Sequence, residues 1–368
     1  MRILFHHGAP DWTGCARAFA DAARLLAAAE HTVVFTCRPD TVVEQRVGAL
    51  ADVVLAPLDS SGGWLEESSA LRRVLQEHFI EAVFVHTARE HLVAAGALRA
   101  AERGAVVRRL PEGKPLVLGK TERAATLLAA TGYLFASDED RQASRPPRGT
   151  LLPVVAPTGV DVEGHAAVRA APRPSLGVPP GGRLIACVTD AESRPRLATV
   201  IRTMGLLAER HPELRLVIVG QGADDEDLRM HAAALGIMGA IRFLGARNDE
   251  LAVLRTADLG WVVAEHDAAA YGFLDFMGLG TPVVAERGPV AMRYVADGIT
   301  GTLLPPADAP AAAAAVASLL AQEDARRTMG RAAQVRAGRD FGQGPMADGF
   351  ERAAEAARDR TKWRGGAR

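Results

Sequence analysis

Asp267 and Asp275 stand eight residues apart in the run Asp267-Ala-Ala-Ala-Tyr-Gly-Phe-Leu-Asp275-Phe-Met-Gly-Leu-Gly280-Thr-Pro282-Val-Val-Ala285. Eight residues at helical pitch is a little over two turns, so acids on one helical path face the same way. The pattern predicts that Asp275 opens a short apolar helix that stops at Gly280 and is followed at once by a strand. If Asp267 precedes that helix, its carboxylate sits where free backbone N–H groups favour anions. Either arrangement suits a polyhydroxylated ligand, with Glu265 a competitor for the part of Asp267. His6, His7 and His86 each sit at the end of a predicted strand, a place where a lone histidine is more often a hydrogen-bonded structural residue. Asp138-Glu-Asp140 has the Asp-x-Asp form of a metal site but reads more simply as a solvated turn. Cys15, Cys37 and Cys187 are odd in number, far apart and without metal-ligand spacing, as expected of buried thiols in a reducing cytoplasm.

The elements that must carry these residues alternate along the chain. Arg2–Phe5, Thr32–Thr36, Ala51–Leu55, Ala82–Val85, Val106–Val107 and Tyr133–Ala136 read as short buried strands. Helical patterns lie between them, among them Cys15–Ala29, Trp64–His78 and His91–Arg103. After residue 160 the alternation restarts with strands at Arg183–Val188, Leu214–Val219, Ile241–Leu244, Leu259–Val263 and Pro282–Val284. Alternating strands and helices predict α/β domains with parallel sheets covered on both faces, and ligands at the carboxyl ends of the strands. The Pro- and Gly-rich stretch from 145 to 180 holds the expected boundary. We expect one Rossmann-like domain over 1–160, a second over 161–345, and a terminal helix in 346–368 that crosses back to the first. No repeat of solenoid or propeller period is visible.

Composition excludes several classes. The chain has 368 residues, too many for one ordinary core and enough for two. A net charge of −1 gives no bulk attraction to nucleic acid or to anionic membranes. Met1-Arg-Ile-Leu-Phe5 reads as a buried strand rather than a signal peptide, and no apolar run reaches the roughly 20 residues that span a bilayer. The expected location is the cytoplasm, with peripheral membrane contact left open. Arg99, Arg103, Arg108, Arg109 and Lys114 form a locally basic stretch, suited to an anionic or lipid-linked ligand but more simply a solvated charged face.

Six short patterns in order resemble retaining glycosyltransferases of family 4, which have the GT-B fold of two facing Rossmann-like domains with a cleft between them. They are Thr13-Gly-Cys-Ala-Arg17, Pro157-Thr-Gly-Val-Asp161, Leu216-Val-Ile-Val-Gly220-Gln-Gly222, Ile241-Arg-Phe-Leu-Gly245, the Asp267–Ala285 run and Asp297-Gly-Ile-Thr-Gly301-Thr-Leu-Leu. The likeness is dense from about 183 to 335 and weak between roughly 40 and 130. It implies transfer of a hexose-type sugar from a nucleoside diphosphate to an acceptor hydroxyl with retention, without a metal and with the nucleotide sugar as co-substrate rather than cofactor. It implies that Asp275 accepts from the ribose diol and that Asp267 acts on the sugar. Gly14, Gly220 and Gly272 would let backbone approach the donor, and Arg17, Arg194 and Arg196 would face the diphosphate. The acceptor, whether a glycan, a lipid-linked intermediate or a small molecule, would lie against the first domain.

The chain departs from the family pattern in three places. Asp190 stands where the family has a diphosphate-binding arginine, and a carboxylate there repels phosphate unless something offsets it. Val107-Arg-Arg-Leu-Pro-Glu112 lacks a histidine often found after that strand. Asp267-Ala-Ala-Ala270 replaces Glu-Gly-Phe-Gly, shortening the acid by a methylene and adding methyl groups. These changes fit either an altered donor pocket or a catalytically degenerate protein acting as scaffold for an active transferase.

Overall fold

The structure is a computed structural model and describes residues 1–365. It divides into two compact units: Met1–Thr158 together with the segment from Gln343 onward, and Gly159–Gly342.

The first unit begins β1 (Arg2–His7), α1 (Gly14–Ala28), β2 (Thr32–Cys37), α2 (Val42–Gly48), β3 (Val53–Leu55), α3 (Trp64–Glu77), β4 (Ala82–Val85) and α4 (Ala88–Ala101). It continues with β5 (Ala105–Arg109), α5 (Lys120–Leu128), β6 (Thr131–Phe135), α6 (Asp138–Ala143) and β7 (Val154–Val155). Seven strands pair in parallel in the order β3-β2-β1-β4-β5-β6-β7. Order reverses between β1 and β4, so a crevice opens there at the carboxyl ends of these strands. β1 and β4 are apolar throughout their middles because helices cover both faces of the sheet.

The second unit holds α7 (Val162–Ala167), β8 (Arg183–Thr189), α8 (Arg194–Ala208), β9 (Leu214–Gly220), α9 (Glu226–Ala234), β10 (Ile241–Gly245), α10 (Glu250–Thr256) and β11 (Leu259–Val262). It ends with α11 (His266–Leu279), β12 (Val283–Glu286), α12 (Pro289–Tyr294), β13 (Gly301–Leu304), α13 (Ala309–Ala321) and α14 (Glu323–Asp340). Its six parallel strands run β10-β9-β8-β11-β12-β13, with the reversal between β8 and β11. The amide of Val160 donates to the Phe341 carbonyl at 2.8 Å, joining the first and last stretches of this unit. α15 (Gln343–Gly365) then belongs to the first unit, where Phe350 packs 5.8 Å from Phe5 and 5.2 Å from Phe84 between ring centroids.

Several local expectations need correction. Asp275 does not open a helix: α11 starts at His266, and Asp275 lies buried more than two turns inside it. The apolar residues around it gave no sign of a start because the whole helix is buried, and periodicity fades when every face is covered. Asp138-Glu-Asp140 is no solvated turn; it opens α6, where Ser137 caps Asp140 N and its hydroxyl meets the buried Asp140 carboxylate at 2.8 Å. Arg109 is not part of an exposed basic face, being 1% exposed beside Glu112 and Thr158. β7 and β13, of two and four residues, were not anticipated because edge strands this short carry little pattern. Among the described residues, no helix is long and apolar enough to cross a membrane.

Candidate functional site

The carboxyl edge of the second unit collects most of the residues singled out from the sequence. Gly220 ends β9 at φ +114°, and an added Cβ would fall 2.1 Å from the Thr189 carbonyl, so only glycine fits there. Gly272 sits inside α11 with its bare Cα against the sheet; a Cβ would lie 3.2 Å from Val188 Cγ1 and from Val262 Cγ1. Its part in the structure is close packing of α11 onto β8 and β11, which differs from the backbone approach to a ligand expected of it. Asp267 is buried in the first turn of α11, where a carboxylate is favoured by the helix dipole. Eight residues advance a helix by two turns and about 80°, so Asp267 and Asp275 share a side of α11 rather than a line. Asp275 Oδ1 lies 2.8 Å from His165 Nε2, and His165 Nδ1 lies 2.7 Å from the Asp161 carbonyl. This buried pair joins α7 to α11.

Asp190, the departure that raised the question of activity, follows β8 and is held by three donors. Glu192 N donates to Oδ1 at 3.0 Å, the Ser193 hydroxyl donates to the same oxygen, and Glu265 N donates to Oδ2 at 2.7 Å. The carboxylate therefore bridges the loop after β8 to the residue that precedes α11. The expected counter-charges have partners of their own. Arg194, exposed at the start of α8, pairs with Asp225 at 3.4 Å and with Asp227. Arg196 lies 2.8 Å from Glu265 Oε1 and 3.6 Å from Glu286 Oε2. Glu192, Glu265 and His266 bring ligand atoms within 4.8 Å of one another, but Arg196 shares the Glu265 carboxylate and no metal is assigned.

His266 was missed from the sequence. It begins α11 at φ +52°, in the left-handed region that a non-glycine residue enters at a cost. No local pattern in the sequence announces it.

In the first unit, Gly14 is the first residue of α1 and Thr13 caps the helix through Ala16 N at 3.2 Å. Arg17, one turn on, lies 3.9 Å from Asp21. The three histidines occupy the edge of this sheet. His6 is buried with Nδ1 2.9 Å from the Thr36 hydroxyl and Nε2 3.2 Å from Glu67, which also meets Arg89 at 2.5 Å. Burial pushes the His7 pKa below its usual value, against the opposing pull of Glu90. The residue missed here is Glu90, a buried acid on α4. It accepts from Gly8 N at 2.8 Å, His86 N at 3.0 Å and Thr87 N at 2.8 Å. Burial opposes its ionisation, but the charges of His7 and His6 and these N–H donors prevail and hold its pKa at about 2. Thr87-x-x-Glu90 is a capping box, a signal present in the sequence. The cysteines are buried, with burial pushing the Cys37 thiol up to about 12.

Comparison with known proteins follows the same division. Residues 168–336, all within the second unit, match the family Glycosyl transferases group 1. The chain is 32% identical over 176 residues to a phosphatidyl-myo-inositol mannosyltransferase of Mycolicibacterium smegmatis, covering 46% of this chain and 43% of that one. It is 32% identical over 210 residues to a D-inositol 3-phosphate glycosyltransferase of Segniliparus rotundus, covering 55% and 46%. The chain thus spans less than half the length of these curated relatives. The crystal structure of Anabaena Alr3699/HepE in complex with UDP and glucose superposes with a TM-score of 0.78 at 20% identity, over 97% of this chain and 100% of that one. The fold is GT-B, built from two Rossmann-like parallel-sheet units.

Proposed function

We propose that the chain is a glycosyltransferase that moves a sugar from a nucleoside-diphosphate donor to an acceptor hydroxyl with retention of configuration. The observation that carries this is a coincidence of extent: the family match covers the second unit, whose β8/β11 edge gathers two helix starts and Asp267. Helix N-termini at such an edge suit a diphosphate. Asp267 is our candidate for the sugar hydroxyls. Asp275 is our candidate for the ribose diol; a carboxylate has about four acceptor positions, so contact with His165 leaves it capable of more. Gly14, Arg17, Arg194 and Arg196 remain candidates for the diphosphate. Transfer proceeds without metal or cofactor, the leaving phosphate taking the acceptor's proton, and a chelator is expected to leave the rate unchanged.

The acceptor is proposed to meet the first unit, in the cytoplasm. Two relatives are named for inositol derivatives, which makes inositol-bearing acceptors the first panel to assay. Nucleotide binding is tested by calorimetry with UDP, GDP and ADP. Asp275→Ala is expected to weaken the preferred nucleotide at least tenfold with the fold retained, because charge-assisted bonds are worth roughly 1.5–3 kcal/mol each. Unchanged affinity moves the nucleotide elsewhere. A second reading, a degenerate scaffold partner of an active transferase, is favoured by the acids already engaging Arg194 and Arg196. It predicts no turnover against a broad donor and acceptor panel.

A further inference from the structure

His165, on α7, stands between two hydrogen-bond acceptors. Its Nδ1 lies 2.7 Å from the Asp161 carbonyl and its Nε2 lies 2.8 Å from Asp275 Oδ1. A carbonyl has no hydrogen to give, so Nδ1 carries one. Nε2 then either donates, as an imidazolium, to an ionised Asp275 or accepts from a protonated one. An ordinary imidazole holds a proton roughly 400-fold more tightly than an ordinary carboxylate, which favours the imidazolium. Burial of both partners opposes the charged pair, but the Asp161 carbonyl gives the imidazolium a second acceptor. The ring is also fixed in place. Asp161 caps α7 by accepting from Gly164 N at 2.9 Å. Gly278, three residues after Asp275 on α11, leaves room for the imidazole: an added Cβ would lie 3.0 Å from His165 Cγ and Cδ2.

We propose that His165 is a positioning residue for the nucleotide: doubly protonated between Asp161 and Asp275, it holds Asp275 ionised and fixes its carboxylate plane for a ribose diol. The ribose part rests on the function proposed above; the proton on His165 does not. Asp275 is 2% exposed, and a carboxylate this buried stays ionised only where a cation or several donors offset the loss of water. Ionised, it is an acceptor alone, as two ribose hydroxyls require; protonated, it gives up acceptor capacity. His165 acts through Asp275 and not on the ligand.

Two substitutions separate this role from packing. His165→Phe keeps a ring against Gly278 and removes the donor, whereas His165→Gln supplies an N–H donor without the ring. Calorimetry uses whichever of UDP, GDP and ADP the wild type binds most tightly. Affinity is expected to fall at least tenfold in His165→Phe and to recover in part in His165→Gln. A ring that only packs gives the opposite order, with His165→Phe binding as the wild type does, and that overturns the proposal. Equal weakening in both variants overturns it too. Nitrogen-15 spectra of the histidine-labelled wild type at pH 7 are expected to show both His165 ring nitrogens protonated. A single N–H puts the proton on Asp275 and overturns the proposal, and this measurement stands even if neither variant folds. A wild type that binds none of the three nucleotides removes the ribose part together with the function it rests on, while two ring N–H groups still establish the ion pair.

Discussion

The two sheets reverse strand order at equivalent places, and each closes that place with one of its own carboxylates. In the first unit Glu90 gathers Gly8 N after β1 and His86 N and Thr87 N after β4. In the second, Asp190 gathers Glu192 N and the Ser193 hydroxyl after β8 and Glu265 N after β11. The chemistry is the same, three donors converging on an anion, but the settings differ. Glu90 is 3% exposed and comes from the helix side, fixed by a capping box. Asp190 comes from the loop side and is partly exposed. The contrast separates a buried strut from a partly exposed plug: one carboxylate is shut away from water and the other is not.

Glu90→Ala is the substitution expected to do most damage. It leaves three partly buried backbone N–H groups without their acceptor, at about 1–3 kcal/mol each at most, so a loss of about 3 kcal/mol in the first unit is expected by denaturant titration. Asp190 is partly exposed, and Asp190→Ala is expected to cost the second unit less than half as much. Equal losses erase the distinction between strut and plug.

Acid sharpens the same contrast. Glu90 has a folded pKa of about 2 against an ordinary 4.5, so its stabilisation is complete above pH 4.5 and fades as pH falls toward 2. His91, beside it on α4, is pushed down to about 3 from 6.5, by burial first and then by Arg108. Folding favours its neutral form, so this contribution is complete above pH 6.5 and fades on acidification toward 3. The first unit is therefore expected to lose stability progressively below about pH 6.5. Unfolding curves at pH 7, 5 and 3 check this, and His91→Leu is expected to flatten the fall between 6.5 and 4.5.

The glycines at the two edges differ as well. Gly220→Ala sets a methyl 2.1 Å from the Thr189 carbonyl at φ +114°, and a cost of about 3 kcal/mol is expected from the clash and the forced backbone. Gly8→Ala meets the Ser60 hydroxyl at 3.3 Å, where a small shift suffices, and about 1 kcal/mol or less is expected. Thermal unfolding of both variants tests the pair, and a more damaging Gly8→Ala contradicts it.

Much of this was open to reading in the sequence. Short apolar runs such as Leu216–Val219 declared buried parallel strands, because helices on both faces leave no polar side to alternate. Gly220 and Asp267 could be placed because a turn glycine and an acid near a helix start follow from local backbone chemistry. What could not be read depends on distant partners. Asp190 looked like a stray negative charge until Glu265, 75 residues later, was seen to donate to it. Asp275 looked like a helix start until His165, 110 residues earlier, was found against it. Glu90 is the exception, since its capping box was legible, though the third donor, Gly8, was not.

Arg196→Met is expected to have the smallest effect on stability and the most diagnostic effect on function. Its guanidinium is 39% exposed and spans Glu265 at 2.8 Å and Glu286 at 3.6 Å, and ion pairs this open to water contribute about 0–1 kcal/mol. Methionine keeps much of the apolar stem, so the unfolding midpoint should barely move. The charge balance at the edge changes more than the stability does. Without Arg196, Glu265 and Glu286 lose their shared cation, and a diphosphate arriving there meets more uncompensated negative charge. In a working transferase that charge also grows as the glycosidic bond breaks, so the rate is expected to drop by about 10²-fold with cognate donor. The double variant Asp190→Asn/Arg196→Met separates the two effects: if the plug opposes what the arginine assists, removing both restores part of the lost diphosphate affinity. A double variant as weak as Arg196→Met alone shows that the two residues do not act on one anion, and the second unit's edge is then no different from the first.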